Sequence, residues 1–438
     1  MPKISSIAFL FLLAVMAGCS SSPPPETAER STEPTPDTIA ATPTSSTDLI
    51  SDRPDPTVQQ QVENAIGELA SLGFDPNRQG VWIQTDETLL ANYNGTLPLP
   101  AASVTKVATT LAALRELGPD HRFVTRIGVV GTIDNGTVNG DLIVEGGEDP
   151  FFIWEEAIAI GNLLTELGIE RVTGDLLVSG KFYMNYKADA IVAGNFFKQG
   201  IDASLWDAEA ETQYQTLPPG TPRPQVAIAG EVRPISTPPG DTNWLIAHDS
   251  FPVAELLEKM NQYSNNYIAD MLANSVGGPN AVVQSVVEAT GVPAAEIQLS
   301  NGSGLGEENK ISARMAAAMW LAIADLLQEY NMTVADVFAV VGEDEGILEA
   351  RPLPNFLVTK SGSLNSVATI SGGLPTQERD IIWFGMMNYG NDTGTLRVQQ
   401  EALLGRFLSQ WGTVSASPAP LKSTASRVGL TSQSQILE

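Results

Sequence analysis

Apolar positions recur at helical spacing over residues 58–72 and again over 104–117, and between them two short runs, 80–85 and 88–93, alternate as the strands of a hairpin do. The pattern then changes. From about residue 122 to 244 strand-like runs such as FVTRIGVVGTI, GDLIVEGG and GDLLVSG alternate with turns, and one helical stretch, 153–167, interrupts them. Helical spacing returns at 251–262, 267–275, 280–290 and 312–330. Strands follow at 356–361, 367–373 and 380–388, then an amphipathic helix at 394–408. Helices at both ends and in the middle, with antiparallel strands first and last, predict an α+β domain over 58–121 and 246–412, interrupted by a β-rich inserted domain over 122–245.

The two ends of the chain differ from this body. Residues 1–18 place Lys3 before an apolar run from Ile7 to Met16 and the small residues Ala17 and Gly18, which reads as a secretory signal ending in a lipobox. That run is too short to span a bilayer core of ~30 Å, which takes about 20 residues. Cys19, the only cysteine, is the expected site of lipid attachment. The plainer alternative is a signal peptide with an incidental cysteine. The reading puts the mature chain on the periplasmic side of a cell envelope, held by lipid, and Ser20 after the cysteine resembles lipoproteins retained in an outer membrane. Residues 19–57, rich in Pro, Thr, Ser and acids, read as a disordered tether. Residues 413–438 lack periodicity and read as a flexible tail.

Composition narrows the chemistry. With 51 acidic against 24 basic side chains the formal charge is −27, so a nucleic-acid partner is excluded by like-charge repulsion. The tether and the tail hold few of these acids, so the charge belongs to the folded region. Two histidines and one cysteine leave little for a zinc site, a Cys-His pair or a disulfide. No metal or other cofactor is expected, and any hydrolysis falls to Ser, Lys, Asn or carboxylates.

Three short motifs occur in order. Ser103-Val104-Thr105-Lys106 opens the helix at 104–117, Ser264-Asn265-Asn266 lies between two helices, and Lys360-Ser361-Gly362-Ser363 ends a strand. Singly they are compatible with a helix cap, an Asn-rich turn and a polar strand end. On a helix, residues three apart lie ~5–6 Å apart at Cβ, so the Lys106 amine can reach the Ser103 hydroxyl, as a nucleophile and its base require. An ordinary lysine is protonated at neutral pH, so Lys106 must be depressed by burial or by a second cation, for which Lys360 is the candidate. Gly362 lets another backbone approach its strand closely.

Together S-x-x-K, S-D-N and K-T-G form the signature of class A β-lactamases and penicillin-binding proteins. Asn301-Gly302-Ser303-Gly304-Leu305, Asn139-Gly140-Asp141-Leu142 with Gly146 to Pro150, and Leu117-Gly118-Pro119-Asp120 before Arg122-Phe123 extend the match. The chain resembles the D-alanyl-D-alanine carboxypeptidase/endopeptidase family of low-molecular-mass class C penicillin-binding proteins, from about residue 80 to 407. The resemblance implies a serine β-lactamase/DD-peptidase-like fold. It implies cleavage of peptidoglycan stem peptides through an acyl-enzyme on Ser103, with β-lactam antibiotics as covalent inhibitors. By the same resemblance Lys106 is the general base, Ser264 relays a proton to the leaving D-alanine, and Asn266 binds the substrate's peptide carbonyl. Lys360 polarises Ser264 and attracts the terminal carboxylate, Ser361 and Ser363 contribute hydroxyls, and the Ser103 and Ser363 N–H groups form the oxyanion hole.

Some positions depart from the family pattern. Ser361 and Ser363 stand where Thr is usual, Asn301 where Asp is usual, and Gly306-Glu307 where Ser-Arg is common. The lost positive charge implies weaker binding of an anionic stem peptide, and the shorter insertion implies a reduced accessory subdomain. Two rivals share the fold: a serine β-lactamase, for which no convincing Glu-x-x-x-Asn motif precedes the strand motif, and a non-catalytic peptidoglycan-binding lipoprotein.

Overall fold

The computed structural model describes residues 53–427 and 429–437; the signal segment, Cys19 and most of the expected tether lie outside the described residues. The first element, helix Pro56–Ser71, starts where Asp55 accepts from the Thr57 and Val58 amides and Pro56 fills a position that needs no N–H donor. Its Val58, Val62, Ala65, Ile66 and Leu69 fall on one face and are buried.

That face covers one side of a five-stranded antiparallel sheet. The strands run in the spatial order Val358–Leu364, Val367–Pro375, Ile381–Tyr389, Gln79–Gln84, Leu89–Tyr93, so the first hairpin of the chain completes a sheet whose other three strands come from residues 358–389. Side chains alternate across it. Val81, Ile83, Ile382, Phe384 and Met386 join helix Pro56–Ser71 and helix Thr393–Trp411 in one core. Trp82, Trp383 and Met387 point the other way, into a core built by helices Thr105–Leu117, Val253–Gln262, Asn266–Ser275, Pro279–Thr290 and Ala313–Gln328. Helix Ala313–Gln328 lies so close to the sheet that a Cβ at Gly385 would sit 2.4 Å from the Ala313 carbonyl oxygen. Helix Thr105–Leu117 is enclosed from Thr105 to Leu114 without a break, which fixes the position of whatever its first turn carries.

Most of the region between the two halves packs around a core of its own, which includes Ile127, Val144, Trp154, Val178, Phe197 and Ile246. The long strands Val124–Asp134 and Thr137–Gly147 form an antiparallel hairpin at its centre. Strand Leu176–Lys181 then returns parallel to Thr137–Gly147 after a crossover through helix Trp154–Glu166. Two further helices, Ala190–Gly200 and Ala208–Tyr214, stand where the periodicity predicts only one for the whole insertion. The first is a short AIVAGNFFKQG segment with poor intrinsic helix propensity. It is held by its Asp189 cap and by packing in which Gly194 lies against Val178 and Val232.

The expectation of a flexible tail is corrected. Leu421 is fully buried in the core that surrounds helix Thr105–Leu117, and Arg427 pairs with both oxygens of Glu255 and with Asp120. Strand Gln433–Ile436 adds to the insertion's sheet beside Asn243–Asp249, with Ile436 opposite Ile246 and Ser434 opposite His248. The segment is anchored at isolated points, and isolated points leave no periodicity to read.

Candidate active site

The first motif lies on a 3₁₀ turn, Ala102–Val104, that runs directly into helix Thr105–Leu117. Ala102 has φ +46°, an unfavourable left-handed conformation for a residue with a Cβ, and it sets the direction in which Ser103 leaves the turn. The Asn301–Leu305 segment buttresses this turn. A Cβ at Gly304 would lie 1.8 Å from the Ala102 carbonyl oxygen, and Thr109 Oγ1 donates to the Gly302 carbonyl at 2.7 Å.

Lys106 is fully buried and its Nζ reaches three acceptors. Ser103 Oγ lies at 3.0 Å, Asn266 Oδ1 at 2.7 Å and the Ser303 carbonyl at 2.9 Å. Burial pulls its pKa down to about 7, against the opposing pull of Asp270. Asp270 in turn accepts from the Ser303 amide at 2.8 Å and so holds the loop that carries the Ser303 carbonyl. A neutral amine has two N–H donors and one lone pair. With Asn266 and Ser303 taking the donors, the lone pair faces the Ser103 hydroxyl.

The second motif fills the break between helices Val253–Gln262 and Asn266–Ser275. Ser264 has φ +52°, Asn265 caps the second helix by accepting from the Ile268 amide at 3.1 Å, and Asn266 begins that helix. The break turns Ser264 towards the sheet and Asn266 towards Lys106. Ser264 Oγ accepts from Lys360 Nζ at 3.0 Å, and the same nitrogen donates to the Ser361 carbonyl at 2.8 Å. Lys360 is buried and its pKa is lowered well below that of an ordinary lysine, by burial first and by Lys106 second.

The third motif does not end its strand. Strand Val358–Leu364 runs through it, at the edge of the five-stranded sheet, and turns at Asn365-Ser366 into its partner. The polar Ser-Gly-Ser run reads as an end because an edge strand need not alternate in polarity. A Cβ on Gly362 would come 2.7 Å from the Ser103 amide nitrogen and 2.9 Å from the Ala101 carbonyl oxygen. Thr369 on the next strand donates to that carbonyl at 2.7 Å and pins the turn to the sheet.

The structure thus links Ser103, Lys106 and Asn266 through one amine and Ser264 with Lys360 through another, and it lays Gly362 against the Ser103 amide. Ser361 and Ser363 follow on the same edge strand. The Ser303 carbonyl, Asp270 and the strained Ala102 were not singled out from sequence. Glu307, which stands where the family commonly has Arg, lines an open groove with Ser363 and accepts from the Tyr389 hydroxyl at 3.1 Å.

Against known families, residues 59–191 and 223–409 match the D-Ala-D-Ala carboxypeptidase 3 (S13) family. The chain belongs to that family. It is accordingly a serine-type D-Ala-D-Ala carboxypeptidase, a hydrolase. Among S13-like relatives, it is 22% identical over 404 residues to D-alanyl-D-alanine carboxypeptidase DacB of Haemophilus influenzae, covering 70% of this chain and 84% of that one. A predatory endopeptidase from Bdellovibrio bacteriovorus, solved with its immunity protein, matches with a TM-score of 0.67 at 17% identity, over 81% of this chain and 99% of that one. A second Bdellovibrio bacteriovorus endopeptidase, solved as its penicillin G acyl form, matches with a TM-score of 0.63 at 22% identity, over 81% and 99% of the two chains. The shared fold is the α+β, DD-peptidase-like arrangement expected from the sequence.

Proposed function

We propose that the protein cleaves the D-Ala-D-Ala end of peptidoglycan stem peptides through an ester on Ser103. The observation that carries this reading is the Lys106 amine, buried and hydrogen-bonded at once to Ser103, Asn266 and the Ser303 carbonyl. In its neutral form Lys106 takes the Ser103 proton as Oγ attacks the carbonyl carbon of the penultimate D-alanine. The Ser103 N–H, beside the glycine strand, and the Ser363 N–H stabilise the oxyanion. The peptide C–N bond then breaks, and the departing amine receives a proton through Ser264, which Lys360 polarises. Water attacks the ester, its proton returns along the same groups, and Ser103 is regenerated. The Asn266 amide, whose oxygen faces Lys106, has its N–H₂ donors for the substrate's peptide carbonyl. Ser361 and Ser363 supply hydroxyls to the terminal carboxylate.

β-Lactams acylate the same serine in this reading, and one Bdellovibrio endopeptidase of the same fold was solved acylated by penicillin G. The protein works in the cell envelope, anchored by lipid at Cys19. No helix among the described residues is long and apolar enough to cross a membrane.

Digestion of purified cross-linked wall fragments, followed by mass analysis of the products, tests the substrate. Loss of one terminal D-alanine establishes carboxypeptidase action and loss of cross-links establishes endopeptidase action. Fragments that stay intact under conditions where Ser103 is acylated by penicillin contradict the proposal.

A further inference from the structure

A substrate ending in a carboxylate calls for a cation at the far end of the cleft, and the two lysines of the site are already engaged. Lys360 is buried against Ser264 and its own strand, and Lys106 is enclosed by Ser103, Asn266 and Ser303. Arg397 stands elsewhere, in the first turns of helix Thr393–Trp411, and donates to Ser363 Oγ. A guanidinium presents a planar fork of N–H donors that matches a carboxylate. The acid one turn along the helix, Glu401, is paired with Arg351 at 2.9 Å, and Arg397 makes no ion pair among the described residues.

Ser363 is exposed on the edge strand and lines an open groove of about 620 Å³ with Leu305, Gly306, Glu307, Leu364 and Asn365. Glu307 puts a negative charge into this groove and disfavours a carboxylate unless a cation offsets it. A serine hydroxyl has one donor and two acceptor positions. With the guanidinium on an acceptor position, the Ser363 O–H is left to donate to an incoming anion, and the adjacent positive charge strengthens that bond.

We propose that Arg397 is a specificity-determining residue which, through Ser363, holds the carboxylate of the leaving D-alanine and so selects substrates with a free C-terminus at that position. The inference rests on the peptidase reading above. It is tested by comparing kcat/KM for a diacetyl-lysyl-D-Ala-D-Ala peptide with that for its C-terminal amide. The native enzyme prefers the acid. Arg397→Ala lowers the acid-to-amide ratio by about tenfold to a hundredfold, the scale of a lost charge-assisted hydrogen bond, chiefly through KM for the acid. Arg397→Lys gives an intermediate ratio. Because the ratio is taken within one preparation, it does not move with the fraction of folded protein. A native preference that persists unchanged in Arg397→Ala overturns the role of Arg397 and leaves the peptidase reading standing. A native enzyme that cleaves neither peptide and is not acylated by penicillin at Ser103 overturns both.

Discussion

A lysine amine that donates to three acceptors has no lone pair for a proton, and at Lys106 burial resolves the conflict by bringing the neutral form within reach of ordinary pH. Its pKa of about 7 gives a sign to the pH dependence. The base form is the deprotonated one, so the rate of Ser103 acylation rises as pH increases through about 7 and levels off above it. Stopped-flow acylation by a chromogenic cephalosporin checks this, and a rate that falls over the same interval contradicts it. Lys106→Arg, which cannot deprotonate, lowers the acylation rate by at least about a hundredfold, the scale of a lost general base. At this scale the sequence was informative wherever a side chain's identity carries the role. Ser103 and Lys106 are legible because a spacing of three on a helix has a geometric meaning. The Ser303 carbonyl is not, because a backbone acceptor is independent of the residue that bears it. The left-handed Ala102 and Ser264 are not either, since only Gly and Asn advertise that conformation.

The elements owe their placement to close backbone approaches. Gly362 lets the edge strand touch the turn that carries Ser103, and Gly385 lets helix Ala313–Gln328 lie on the sheet. The two sites separate function from stability. Gly362→Ala pushes the strand away from the Ser103 amide and slows acylation by at least about tenfold, a fraction of the cost of losing an oxyanion donor. Gly385→Ala overpacks a core contact and costs about 1–3 kcal/mol of stability, read by urea denaturation. Long elements whose apolar positions keep helical spacing, such as helices Pro56–Ser71 and Ala313–Gln328, are predicted to within about two residues, because burial of those positions dominates their stability. Edge strand Val358–Leu364 and helix Ala190–Gly200 are read less well. The first is polar because it borders a cleft, and the second is helical because of what it packs on rather than what it is made of.

Over the whole molecule, the chain's last described stretch ties the core around helix Thr105–Leu117 to the insertion. Leu421 enters the core that carries helix Thr105–Leu117, and strand Gln433–Ile436 joins the sheet of the insertion. Leu421→Ala is expected to cost about 2–5 kcal/mol, as a buried leucine truncation does, and to lower the melting temperature. An unchanged melting temperature would mean that the segment is not docked in solution. The charge of −27 acts at the same scale. Screening of like charges should raise the melting temperature between low salt and about 1 M, where the Debye length falls to about 3 Å. The central claim, an acyl-enzyme on Ser103, is tested most directly by intact mass after exposure to benzylpenicillin, with peptide mapping of the adduct. A single penicilloyl group is expected on the peptide containing Ser103, absent from Ser103→Ala; an adduct on another residue, or none on the folded native protein, contradicts an acyl-enzyme on Ser103.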